Sequence, residues 1–197
     1  YSGFHYKLFE EWKEKKISTK RFIQINQLDF SNSIIKEPHL SVFYDELKKE
    51  YNQAKFIMII RNPYNNIRSI LDRLKIKGNK TRLNYKDRRK IFHSWNLLFN
   101  NKWIHGKRTH YIECLAERWN IITEIYLNNK DNIILIQYED FLKDKTNTIN
   151  QLCKDLELDK KSDISEYLNK QYQPRGKNKD MPLNKFFGEN NYQRIAK

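Results

Sequence analysis

Lys55-Phe-Ile-Met-Ile-Ile-Arg61-Asn62-Pro63, running on through Tyr64 to Leu74, decides how this chain folds. Five consecutive apolar residues, Phe56 to Ile60, have the length and β-branched content of a strand buried on both faces. Arg61 ends the run. Asn62 is a good helix N-cap, and Pro63 falls at the first helical position, where its missing N–H costs nothing. Ile67, Ile70, Leu71 and Leu74 then recur at helical spacing and make one apolar face. The stretch predicts a strand, a sharp turn and a helix, with a cation fixed at the strand's carboxyl end. That end of a parallel strand is where open α/β sheets bind ligands, and a helix N-terminus favours anions. Ser69 lies about two turns into the helix, roughly 10 Å along it, so Arg61 must fold back for both to grip one group.

Working outward, His39 to Tyr51 reads as a helix and Ser33 to Lys36 as a short strand before it. With the Phe56 strand they make a βαβ unit, for which a right-handed parallel crossover is the default. Phe4 to Lys16 reads as a charged amphipathic helix, and the alternation in Arg21 to Gln27 predicts a short strand or edge segment. On the carboxyl side, Asp87 to Trp103 and Tyr111 to Leu127 carry helical spacing, the second apolar at Leu115, Trp119, Ile122 and Tyr126, with Trp119 expected in the core. Asn132 to Gln137 is the next buried strand. Phe141 to Leu156 is helical again, as is a last helix from Ile164 to Gln171, before a Lys/Asn/Gly-rich tail. Strands alternating with helices predict a three-layer α/β/α domain around a mainly parallel sheet. Neither an internal repeat nor a domain-scale linker interrupts residues 1–197, so one domain is expected.

The charge balance is strongly basic: 38 Lys and Arg against 24 Asp and Glu give +14. Such an excess draws polyanions, whether nucleic acid, acidic glycan, anionic membrane or a highly phosphorylated nucleotide, without choosing among them. Cys114 and Cys153 are too few for a disulfide framework and are expected reduced. No apolar run approaches membrane-spanning length or resembles a signal peptide, although an anchor upstream of Tyr1 stays open. His110 and Cys114 stand four apart, but no second pair has ligand spacing, and no metal is expected.

Lys36-Glu37-Pro38-His39 follows a strand candidate and should emerge on the same rim as Arg61. A lysine there can neutralise charge on a transferred group, and a nearby imidazole can accept a hydroxyl proton near neutral pH. An ordinary helix entry with solvated charges would carry the same residues. Tyr138, at the end of the Asn132 strand in Tyr138-Glu139-Asp140, can turn a flat face to a purine, or simply pack in the core. Arg175-Gly176-Lys177 sets a glycine between cations, which lets backbone amides approach an anion; a solvated tail is its plain alternative.

Arg61-Asn62-Pro63 after an apolar strand, with Ser69 eight residues beyond the arginine, resembles the 3′-phosphate motif of sulfotransferases that use 3′-phosphoadenosine-5′-phosphosulfate (PAPS). The likeness covers about residues 30 to 178 in the family's usual order. It implies a P-loop NTPase-like sulfotransferase fold, PAPS as donor and a hydroxyl or amine acceptor, with no metal. It implies Lys36 at the transferred group and His39 or Glu37 as base, although His39 stands three residues after Lys36 where the family's usual spacing is two. It further implies Arg61, Ser69 and Arg175 with Gly176 around the 3′-phosphate, and Tyr138 beside the adenine. The family's Gly/Ser/Thr loop for the 5′-phosphosulfate has no match here, and it is expected upstream of Tyr1. A nucleotide kinase-like P-loop enzyme and a basic nucleic-acid-binding domain are the competing readings, the latter resting on charge and on 14% aromatic residues.

Overall fold

The computed structural model describes residues 5–92, 95–159, 162–171 and 176–196. The chain is a mixture of helices and a small parallel sheet, and it divides into two compact units, each built from two separate stretches. One combines Tyr1–Ala54 with Arg82–Ile125, the other Lys55–Thr81 with Tyr126–Lys197.

The second unit holds the sheet. Strand β1, Phe56–Ile60, pairs in parallel with β2, Ile133–Gln137, so that Phe56 lies opposite Ile133 and Ile60 opposite Gln137. The strands predicted at Phe56–Ile60 and Asn132–Gln137 are therefore present. Burial of β1 on both faces is not: Met58 is 9% exposed, whereas Ile57 and Ile59 are 43% and 64% exposed. Successive side chains point to opposite faces, and among the described residues only one face of β1 is covered. The helix Pro63–Arg73 starts as its sequence dictates, with the Asn62 side chain accepting from the Asn65 N–H at 3.3 Å and Pro63 in the first turn. Ile67 and Leu71 are fully buried.

Against that helix packs another, Leu183–Ile195, where the sequence had suggested only a polar tail. Phe186 and Phe187 supply its apolar anchor, and Tyr64 stacks on Tyr192 at 4.6 Å. Gly188 takes φ +66° inside it and kinks it, a conformation that suits glycine. The buried Asn191 amide donates to the carbonyls of Gly78 and Lys80 at 2.7 and 2.8 Å, which ties down the turn after the Pro63–Arg73 helix. The Phe141–Leu156 segment breaks in two, Tyr138–Lys143 and Lys145–Asp155, because the Asp144 side chain caps the second piece through the Asn147 N–H.

The first unit is helical and aromatic. Lys7–Lys13 buries Phe9 and Trp12, and Trp12 stacks between Phe43 at 3.7 Å and Phe22 at 4.3 Å. Phe22 belongs to a helix, Thr19–Ile25, where alternation predicted a strand. Ser18 caps it by accepting from the Arg21 N–H, and the buried positions Phe22 and Asn26 lie one helical turn apart. Ser33 to Lys36 is not a strand either; Ile34 is 82% exposed, and β1 takes β2 as its partner instead of this segment. His39 to Tyr51 is helical as expected, a 3₁₀ turn over Pro38–Phe43 leading into Tyr44–Glu50. The single helix expected from Asp87 to Trp103 is broken. Tyr85–Arg88 is started by an Asn84/Asp87 capping box, Asn96–Phe99 follows, and a 3₁₀ turn covers Asn101–Ile104. The helix Tyr111–Asn128 buries Tyr111, Ile112, Cys114, Leu115, Ala116 and Arg118, while Trp119 is only half-buried. A charged side chain thus takes the core position expected of the tryptophan. Among the described residues no helix is long and apolar enough to cross a membrane.

Candidate functional site

The predicted residues fall into two groups, one in each unit. In the sheet-bearing unit, Arg61 leaves the carboxyl end of β1 and lies with its guanidinium carbon 4.8 Å over the ring of Tyr138, which leaves the carboxyl end of β2. Parallel pairing in register brings these two strand ends side by side, so the register itself makes the contact. A guanidinium over an aromatic face is attracted by the ring's negative π cloud. Glu139 fixes the same corner: its carboxylate accepts from the Asn62 backbone N–H at 3.1 Å, tying the end of β2 to the start of the Pro63–Arg73 helix.

Ser69 is exposed on that helix, and Asp72 follows three residues later on the same side. Gly176 lies against Asp72 so closely that a Cβ on the glycine would stand 2.5 Å from the aspartate Oδ2. Asn178 donates to the same carboxylate from its backbone N–H at 3.3 Å and from its side-chain amide at 2.5 Å. Arg68, one turn before Asp72, donates to the carbonyls of Asn178 and Met181 at 3.3 and 2.8 Å and to the Asn65 side chain at 2.8 Å. One polar stripe of the helix, Asn65, Arg68 and Asp72, therefore clamps the Gly176–Met181 segment. Arg175 lies outside the described residues. The clamp was not read from the sequence, since its partners stand more than a hundred residues away. Its one available signal was the polar stripe at helical spacing opposite Ile67 and Leu71.

In the helical unit, Lys36 is exposed, whereas the next two predicted residues turn inward. The Glu37 and His39 side chains are 3% and 7% exposed, and the Glu37 Oε1 lies 3.2 Å from the His39 Nδ1. The same oxygen accepts from the His39 backbone N–H at 2.9 Å, and Oε2 lies 3.3 Å from the Tyr6 hydroxyl, which donates to it. The imidazole is enclosed by rings of Tyr6, Phe9 and Trp103, at 5.7, 5.6 and 6.3 Å. Arg118 completes the cluster. It is 5% exposed, stacks over Trp103 at 5.2 Å, and both terminal nitrogens lack a hydrogen-bond partner among the described residues. Burial pushes its pKa down to about 10, and the negative charge of Glu37 opposes that shift. The signal for Arg118 was a cation at an apolar-face position beside Trp119.

Behind this cluster, Asn101 donates to the Cys114 carbonyl at 2.6 Å and to Glu117 at 2.9 Å. Burial raises the Glu117 carboxyl, but hydrogen bonds from Asn101 and from the Lys107 and Arg108 backbone outweigh it and hold the pKa below its ordinary value. Burial pushes the Cys114 thiol up to about 11. Among the described residues no cluster of three or more His, Cys, Asp or Glu has the arrangement of a metal site.

The sequence model of the sulfotransferase family matches residues 1–163 of the 197-residue chain. No curated protein and no solved structure matches it.

Proposed function

Because the chain belongs to the sulfotransferase family, we propose that it transfers a sulfuryl group from PAPS to a hydroxyl or amine of an acceptor. Family membership implies a transferase with a donor and an acceptor; the identity of the donor rests on the residues. The observation that carries it is the Arg61–Tyr138 pair at the carboxyl ends of two parallel strands, beside the amino end of the Pro63–Arg73 helix. A cation, a helix N-terminus and an aromatic face in one corner suit a nucleotide that bears both a phosphate and a purine. We read β1 and β2 as part of a three-layer, P-loop-like sheet and residues 1–197 as one sulfotransferase-like domain.

In this reading Arg61 and Ser69, with Arg175, hold the 3′-phosphate, and Gly176 lets the backbone of the clamped segment approach it. Tyr138 borders the adenine. PAPS supplies the sulfuryl group, and the chain's contribution is positioning and charge stabilisation, as in phosphoryl transfer. Lys36 offsets negative charge at the transferred group. His39 takes the acceptor's proton, and Glu37, 3.2 Å from Nδ1, stabilises the imidazolium that results. Glu37 serves as the base itself if His39 is dispensable. No metal has a part in these roles.

The test is calorimetric titration of 3′-phosphoadenosine 5′-phosphate against 5′-AMP, on wild type and Arg61→Ala. Losing a charged hydrogen bond to phosphate costs about 1.5–3 kcal/mol, so the variant should bind the 3′-phosphorylated ligand roughly tenfold to a hundredfold more weakly while AMP affinity barely moves. Equal affinity of wild type for the two nucleotides would end the PAPS reading.

A further inference from the structure

We propose that a cleft in the helical unit binds a carboxylate-bearing saccharide through Arg82 and Arg88; its service as the acceptor pocket rests on the sulfotransferase reading above. The cleft has a volume of about 400 Å³ and is formed where residues 82–91 and 96–100 meet the start of the Tyr111–Asn128 helix. That volume falls within the range of small-ligand sites, roughly 300–1,000 Å³.

The charge on its walls is one-sided. Arg82 and Arg88 line it, and among the described residues no Asp or Glu does. Among the described residues, neither guanidinium is held by an ion pair or a side-chain hydrogen bond. The carboxylate nearest in sequence, Asp87, is 2% exposed and already committed, accepting from the Asn84 N–H and lying 3.5 Å from Lys90. A planar guanidinium fork with no internal partner is matched to a carboxylate, which accepts two parallel N–H bonds.

The remaining walls argue for a hydroxyl-rich ligand. Asn96, Asn100 and Thr109 present amides and a hydroxyl, and Phe99 adds a flat apolar surface. Sugars need that mixture: donors and acceptors in quantity for the hydroxyls, and an aromatic or apolar face for the C–H side of the ring. Beside the cleft, Tyr85 shares the short Tyr85–Arg88 helix with Arg88, is 74% exposed, and carries Arg89 over its ring at 5.9 Å.

The probe is a hyaluronan tetrasaccharide, which carries glucuronate carboxylates, titrated calorimetrically into the full 197-residue chain. Its carboxyl-reduced counterpart is the control. We expect the acidic sugar to bind and the reduced one not to. Arg82→Ala with Arg88→Ala should weaken binding about tenfold or more. Arg82→Lys with Arg88→Lys keeps the charge but not the fork, and should weaken it about threefold or more. Lys154→Ala with Lys185→Ala removes two charges from the other unit and should leave it unchanged.

Failure to bind, equal binding of the reduced sugar, or an unchanged affinity in either arginine pair would overturn the proposal. An equal loss in the lysine pair would reduce it to diffuse attraction by a +14 chain. Displacement of the sugar by saturating 3′-phosphoadenosine 5′-phosphate would reassign the cleft to the nucleotide. Saccharide binding in a protein that shows no preference for the 3′-phosphorylated nucleotide would uphold the cleft and remove its acceptor role, so the two readings fail separately.

Discussion

Arg118 takes the place in the Tyr111–Asn128 helix where apolar periodicity asks for a hydrophobe. A guanidinium taken out of water with no hydrogen bond for its terminal nitrogens is unfavourable by itself, so something must hold it there. The negative charge of Glu37 and the face of Trp103 are what the structure offers. Arg118→Met should therefore destabilise the protein by about 3 kcal/mol in urea denaturation, because it leaves a buried carboxylate without its counter-charge. Adding Glu37→Gln should recover a good part of that loss. A double variant as unstable as the sum of the two singles would show that the side chains do not act as a pair. Lys36, next in sequence to this cluster but exposed, should be replaceable by alanine with under about 0.5 kcal/mol of change in stability.

Among the elements, a bound glycine separates two mechanisms. Gly176→Ala puts a Cβ into the Asp72 carboxylate, and Asp72 is what holds Asn178. Amide exchange over residues 177–181 should rise in that variant while global stability changes by only about 1 kcal/mol, as expected when one segment opens locally and the rest of the fold stays closed. Unchanged exchange there would mean that Asp72 moves aside without releasing the segment. Where local chemistry ruled alone, the sequence could be read. The Asn62–Pro63 helix start, the Phe56 and Asn132 strands and the Tyr111–Asn128 helix followed from periodicity and capping. Arg21 to Gln27 misled because two readings fit seven residues, and the deciding signal was the Ser18 cap outside the window. The Leu183–Ile195 helix escaped because its anchor is a Phe-Phe pair rather than a repeated stripe, and its partner helix lies far back in the chain. The clamp on the Gly176–Met181 segment escaped for the same reason: the hydrogen bonds that reach the segment from Arg68 and Asp72 join residues more than a hundred apart in sequence.

At the scale of the molecule, each compact unit is assembled from two stretches of chain that are not adjacent in sequence. A fragment Tyr126–Lys197 keeps β2 and the Leu183–Ile195 helix but loses β1 and the Pro63–Arg73 helix, against which these two pack. An isolated parallel strand has no ladder, and short helices without a packed face are marginal in water. Far-UV circular dichroism of that fragment should accordingly show little helix. A native-like spectrum would mean that the second unit's order does not depend on Lys55–Thr81.

The two cysteines make the chain its own chemical clock. Cys114 is 1% exposed with its thiol pushed up to about 11, while Cys153 is half-buried on another helix. Thiolate is the reactive form, so at neutral pH an alkylating reagent should tag Cys153 in a fast phase and reach Cys114 only when the helical unit opens. The slow phase then times that opening, with no residue changed.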